Sequence, residues 1–201
     1  MTDLKLQATA VVTCALVCAS ALQAHHSASM FEDTPIWVDA VVVRFDRINP
    51  HSITMLEERT RDGQVRRWAV EGPDPGQMDR RGIARDILKA GDVVRFCGFP
   101  PRDESRFLRT SQGTDGEPRR FLHGHVLVKN GQKSMWGSYG TLGRCMMSSG
   151  EPRQAWVDFL NSDARVQGTW CAQRVRPAVR EDASSRAFVE EVTRLLSRPC
   201  E

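Results

Sequence analysis

The chain contains 201 residues, of which 40% are apolar and 26% are charged. This length fits one large domain or two small ones, and the apolar fraction is sufficient for a packed core, which argues against wholesale disorder. The net charge is only +3, and so small a surplus does not support nucleic-acid binding. No apolar run reaches the roughly 20 residues that a membrane-spanning helix needs.

The amino-terminal residues have the pattern of an export signal. Residues 8–22 form an uncharged apolar run that follows Lys5, which is the length of a signal-peptide core and too short for a spanning helix. Small residues place the cleavage site after Ala21 or after Ala24. We therefore predict that residues 1–24 are a signal peptide and that the protein is periplasmic or secreted, with no membrane span once the leader is removed.

The cysteines fit an oxidising compartment. Removal of the leader takes two of the six cysteines and leaves Cys97, Cys145, Cys171 and Cys200. Four cysteines in an exported protein predict two disulfides, for which three connectivities are possible. Three of the four lie near the carboxyl end, so the sequence predicts that this part is the stapled part.

Five segments between residues 36 and 128 have the composition of β-strands. β-Branched and aromatic residues dominate them, and turn signals such as Asp62-Gly63 and Asn130-Gly131 follow them. Between the third and fourth segments, Asp74-Pro75 starts a helix that Gly91 ends, and Gly82 is placed to divide it into two short helices. The predicted strands are residues 36–45, 52–57, 65–70, 92–99 and 119–128.

Three strands, one helix and two further strands are the element order of the oligonucleotide/oligosaccharide-binding (OB) barrel. We therefore predict a mainly β protein with a small five-stranded OB-like barrel and one inserted helix over residues 30–131, with a sandwich or an open sheet as the alternatives. Trp37 and Trp68 could stack on a sugar or a base if they were exposed, but the faces on which they lie predict core positions.

Residues 134–201 have helical patterns instead. Helices are predicted to begin at Glu151-Pro152, after Asp163 and after Ser184 or Ser185. Apolar side chains recur at helical spacing, as in the set Trp156, Phe159 and Leu160. This part is predicted to be a disulfide-stapled helical region that docks on the barrel.

Seven short strings occur in a fixed order over residues 24–130. Together they resemble a family of small exported bacterial proteins that is known only as a domain of unknown function. The resemblance implies an exported, barrel-like fold and brings no activity; the last string departs slightly from the family's Gly-x-Pro-x-Arg. The strings are Ala24-His25-His26-Ser27, Phe31-Glu32-Asp33, Asn49-Pro50-His51, Trp68 with Glu71, Arg81-Gly82, Leu88-Lys89-Ala90-Gly91-Asp92, and Gly98-Phe99-Pro100-Pro101-Arg102.

The histidines are the candidate functional residues of this sequence. If cleavage follows Ala24, His25 becomes the first residue, and its α-amine and imidazole can chelate one metal ion. A third nitrogen from His26 or His51 would complete a set that suits copper or zinc. The predicted metal site is therefore His25, His26 and His51. The alternative is an exposed histidine pair without a role at a frayed terminus, with His51 serving as a turn residue.

A second histidine pair, His123 and His125, lies two residues apart in the last predicted strand. This spacing puts both on one face and could seat zinc if another strand supplied a third ligand. No third ligand can be assigned, so surface or interface histidines are the prediction.

The sequence carries no nucleophile elbow, phosphate-binding loop or His-Glu-x-x-His motif. The leading prediction is therefore an exported, non-enzymatic binding or accessory module of the cell envelope. Its partner would be another envelope protein or a small ligand, not a nucleic acid. One alternative is a periplasmic copper- or zinc-binding protein that uses the amino-terminal histidines. A second alternative is a copper-dependent oxidative enzyme.

Overall fold

A computed structural model of the protein describes residues 28–107, 119–137, 142–174 and 183–200. The predicted signal peptide, with His25 and His26 just after it, lies outside the described residues. The strands are β1 (Ile36–Asp46), β2 (Ile53–Arg59), β3 (Val65–Glu71), β4 (Val93–Phe99), β5 (Arg120–Lys129) and β6 (Gln132–Met135). The helices are α1 (Pro75–Arg80), α2 (Leu142–Ser148), α3 (Arg153–Asn161), α4 (Ala164–Arg174) and α5 (Ala183–Arg194), with short 3₁₀ turns at Ala28–Met30 and Glu104–Arg106.

The first five strands form a closed barrel. The sheet order is β3-β2-β1-β4-β5-β6, and β3 also pairs with β5, which closes it. The closing pair is parallel, whereas the other pairs are antiparallel. With α1 between β3 and β4, this arrangement confirms the predicted mainly β, OB-like barrel.

Alternation along the strands builds the barrel interior. In β1, Val38, Ala40 and Val42 point inward, while Val41 and Val43 on the other face are more than two-fifths exposed. Trp68 lies in this core as predicted, but Trp37 lies on the outer face, where its Nε1 donates to Ser148 Oγ at 3.1 Å. The interior consists of Val38, Ala40, Val42, Leu56, Trp68, Val70, Met78, Ile83, Leu88, Val94, Phe96, Leu122, Leu127 and Trp136.

Three local features differ from the sequence prediction. The inserted helix ends at Arg80, because Gly82 adopts a left-handed backbone with φ of 70° and the chain continues in turns. A sixth strand, β6, follows the Asn130-Gly131 turn, where the prediction placed no strand. Helix α2 precedes the first helix that the sequence pattern indicated.

The helical region packs on the outer face of the barrel over a second apolar core. Both predicted disulfides form, and they resolve the connectivity as Cys97–Cys145 and Cys171–Cys200. The first joins β4 to α2, and the second joins α4 to the carboxyl-terminal segment. Within the described residues, none of the helices is both long and apolar enough to cross a membrane.

Gly72 is a position where the fold admits no side chain. A Cβ atom there would lie 2.6 Å from Ser52 Oγ and 2.7 Å from Trp136 Cε2, and closer still to Trp136 Nε1. Because the indole is fully buried and rigid, we expect Gly72→Ala to lower the free energy of unfolding by about 3 kcal/mol. Gly168→Ala is the matched control, since no atom lies within 4 Å of that Cβ in α4. The control should be neutral or stabilising by about 0.5–1 kcal/mol. Urea unfolding of both variants measures the contrast, and equal stabilities would refute it.

Candidate functional site

Two imidazoles and one carboxylate meet at the seam where the barrel closes. Oε1 of Glu71 lies 3.6 Å from Nδ1 of His51 and 3.4 Å from Nδ1 of His123. The His51 and His123 side chains are about one-third exposed, whereas Glu71 is only 14% exposed. A largely buried carboxylate is thus shared by two histidines that remain partly accessible from solvent.

The strand pairings bring these residues together from distant parts of the sequence. Glu71 ends β3 and is opposite His123 in the parallel β3–β5 pair. Ile53 at the start of β2 is opposite the same Glu71, and His51 stands two residues before it. The site therefore depends on the closure of the barrel and is not present in any one segment.

The shared carboxylate determines which ring nitrogens can act as ligands. Nδ1 of His123 is buried and has no hydrogen-bond partner among the described residues, although it faces the Glu71 oxygen. An adjacent carboxylate favours the tautomer that carries its proton on Nδ1, which leaves the Nε2 lone pair for a metal ion. This carboxylate–histidine relation is the usual outer-shell arrangement of metal-binding histidines.

The second histidine of the predicted pair, His125, is in a different environment from its neighbour. It is only 3% exposed and lies edge-on to both Phe99 and His123, with ring centroids 4.8 and 4.9 Å apart. The β4–β5 register shifts between Cys97 and Gly98, which inserts one extra residue at this point of β5. Bulges of this kind re-aim side chains beside functional sites. The sequence predicted surface or interface positions for both histidines; His123 is about one-third exposed, whereas His125 is buried.

The amino-terminal segment is anchored against this site. The Phe31 ring stacks on His123 with ring centroids 4.8 Å apart, and Phe31 also forms a β-bridge with Pro101. Arg102 holds the next residues through Glu32 at 3.1 Å and Asp33 at 2.6 Å. The start of the described chain is therefore fixed beside the His123 imidazole.

The described residues do not form a complete metal site. No three or more His, Cys, Asp or Glu side chains in these parts of the chain are grouped so that they could hold a metal ion. Of the predicted ligands His25, His26 and His51, the structure places His51, while the other two lie outside the described residues. Sequence reasoning missed the partnership of His123 and Glu71. Glu71 belonged to one of the family-like strings, but that string indicated no role for it.

The protein is thus an OB-like barrel with a disulfide-stapled helical region. It carries a histidine–carboxylate cluster where strands β3 and β5 close the barrel. Residues 12–109 match a family of unknown function, DUF6152, which supports the resemblance to an uncharacterised domain family. The matched part includes β1–β4, with His51 and Glu71, and ends before β5. Comparison with curated proteins and with solved structures finds no significant match.

Proposed function

We propose that this protein is an extracytoplasmic, non-enzymatic binding module whose ligand is a transition-metal ion, copper or zinc. One observation supports the proposal: Oε1 of Glu71 lies 3.6 Å from Nδ1 of His51 and 3.4 Å from Nδ1 of His123, so two imidazoles share one carboxylate on a rigid barrel. The Nε2 atoms of the two imidazoles are the proposed ligands. Nitrogen ligands suit both metals, and copper stands highest in the affinity order. Disulfides of the kind seen here persist in oxidising compartments, which supports an exported location.

The remaining ligands are proposed to be His25 and His26, with the α-amine of His25 if cleavage follows Ala24. His26 precedes Phe31 by five residues, a length of chain that spans at most about 17 Å. Because Phe31 stacks on His123, the sequence separation allows both histidines to reach the cluster. The full set would then consist of nitrogen donors from the amino terminus and from the barrel.

The exported protein tests this proposal directly. Amino-terminal sequencing fixes the cleavage site, and calorimetric titration with Cu(II) and Zn(II) should give one ion per chain with a dissociation constant below a micromolar. Failure to bind either ion stoichiometrically would overturn the metal proposal, and a role through protein contacts alone would replace it.

Glu71→Gln tests the role of the carboxylate. The substitution keeps the size of the side chain but removes the charge that faces both Nδ1 atoms, so we expect metal affinity to fall by about 10- to 100-fold. Glu57→Gln is the matched control, because that carboxylate lies on β2 and pairs with Arg67 at 3.3 Å, outside the cluster. The control should bind as the wild type does. If the two variants bind equally well, Glu71 does not position the ligands.

A further inference from the structure

The two disulfides lie in different surroundings. Cys97 and Cys145 are both 0% exposed in the apolar core between the barrel and the helices. Cys171 and Cys200 are only partly buried, and they pack against the same core from its margin. Thiol–disulfide exchange begins when a thiolate reaches one of the disulfide sulfurs. The first bridge is therefore closed to attack in the folded protein, whereas the second is accessible.

The second bridge holds residues 197–200, which we name the carboxyl-terminal segment. These residues follow α5 without regular secondary structure, and the first three of them are exposed. Asn161 Oδ1 accepts from the Ser197 amide at 3.0 Å and from the Ser197 hydroxyl at 2.9 Å. Gln167 Nε2 donates to the Arg198 carbonyl at 2.8 Å. Once the disulfide is open, such contacts stabilise the exposed segment only weakly.

Opening this bridge leaves the rest of the helical region attached to the barrel. Helix α5 contributes its own buried side chains to the core, among them Val192. Trp170 Nε1 donates to Thr193 Oγ1 at 3.1 Å and so joins α4 to α5. The Cys97–Cys145 bridge continues to join β4 to α2. The carboxyl-terminal segment is therefore the part that reduction of the second bridge would release.

We propose that Cys171–Cys200 is a site of thiol–disulfide exchange, at which a protein dithiol reversibly frees the carboxyl-terminal segment. A thiolate of the dithiol bonds to one sulfur of the bridge, and the other sulfur leaves as a thiolate and takes up a proton. The second thiol of the reductant then attacks the sulfur of the first, which releases the bound cysteine as a thiol and leaves the reductant as a disulfide. This site is separate from the histidine cluster and does not depend on the metal proposal.

The exported protein, freed of metal, tests this proposal by timed reduction with dithiothreitol, rapid alkylation with N-ethylmaleimide and peptide mass mapping. We expect Cys171 and Cys200 to be alkylated at least about 100-fold faster than Cys97 and Cys145, because the buried bridge reacts only after the core opens. Amide exchange of the partly reduced protein should rise only in α4, α5 and the carboxyl-terminal segment. Oxidised glutathione should then restore the bridge.

Asn161→Ala tests whether opening of the segment controls the reaction. Loss of two hydrogen bonds to Ser197 should make reduction of the second bridge about 3- to 10-fold faster. Ser197→Ala removes one of these bonds at an exposed position and should give a smaller increase. Ser162→Ala is the matched control, because this exposed hydroxyl donates to the Phe159 carbonyl at 2.7 Å and not to the segment. The control should react at the wild-type rate.

Several outcomes would overturn the proposal. They are resistance of both bridges to the dithiol, reduction of both at one rate, and faster reduction of Cys97–Cys145. Equal rates for Asn161→Ala and Ser162→Ala would overturn it as well, since the segment would then not control access to the sulfurs. A rise of amide exchange in the barrel strands on selective reduction would show that the opening is not local.

Discussion

Replacing His51 and His123 together by alanine should lower the affinity for Cu(II) or Zn(II) by at least about 100-fold. Each imidazole supplies one Nε2 ligand in the proposed site, and amino-terminal donors alone would then have to hold the ion without the rigid barrel. Each single variant should lose about half of the metal-binding free energy that the double variant loses. Titration calorimetry of the wild type, both single variants and the double variant measures these effects.

Thermal unfolding gives a second measure of the same change. An ion present at 100 times its dissociation constant stabilises the wild type by about 2.7 kcal/mol, and this gain should disappear in the double variant. Without metal the double variant should be somewhat less stable than the wild type, because it loses the stacking of His123 on Phe31 and both imidazoles that face Glu71. The quantity compared is therefore the gain that metal produces within each protein. Undiminished metal binding by a folded double variant would show that the barrel histidines are not ligands.

The barrel could be predicted from the sequence because the signals that specify it are local. The strand patterns, the turn at Asp62-Gly63 and the helix start at Asp74 each act within a few residues, and Asp74 does cap α1 by accepting from the Gln77 amide at 2.8 Å. The same carboxyl has its pKa lowered, mainly by this backbone hydrogen bond. The order of these local signals specified the OB-like topology.

The site could not be predicted in the same way, because it is made by pairings between distant strands. His51 and His123 meet only when β3 pairs with β5 in parallel, and no spacing in the sequence encodes that contact. Several of the family-like strings, although scattered in the sequence, lie close together in the structure. Phe31-Glu32-Asp33 contacts Arg102 and His123, while His51 and Glu71 face each other.

Strand β6 was missed for a related reason. Gln132–Met135 has only four residues and too few alternating apolar positions for a period of two to be recognised. Its strand conformation depends on the Asn130-Gly131 turn and on β5, which provides its pairing partners. Trp37 was misplaced because apolar residues occupy both faces of β1, including the exposed Val41 and Val43. Their alternation therefore does not reveal which face points into the barrel.

Removing the Cys97–Cys145 disulfide is expected to have the largest effect on stability. The bridge closes a loop with a sequence separation of 48, for which loop entropy predicts a loss of about 4 kcal/mol from the free energy of unfolding. Both cysteines are fully buried in the apolar core between barrel and helices, so the Cys97→Ala/Cys145→Ala variant also loses packing there. Denaturant unfolding of the double variant under oxidising conditions measures the change.

The Cys171→Ala/Cys200→Ala variant is the informative comparison, because this bridge has a sequence separation of only 29 and lies within the helical region. Loop entropy predicts a similar loss in the free energy of unfolding, about 3.6 kcal/mol. The two variants should nevertheless lose protection in different parts of the protein. Without Cys97–Cys145, α2 is held on the barrel by packing and by a few polar contacts such as the Trp37–Ser148 hydrogen bond, so amide exchange should rise throughout α2–α5. Without Cys171–Cys200, faster exchange should be confined to α4, α5 and the carboxyl-terminal segment. If exchange in α2 is unchanged in the first variant, the noncovalent contacts are sufficient to hold the helices on the barrel.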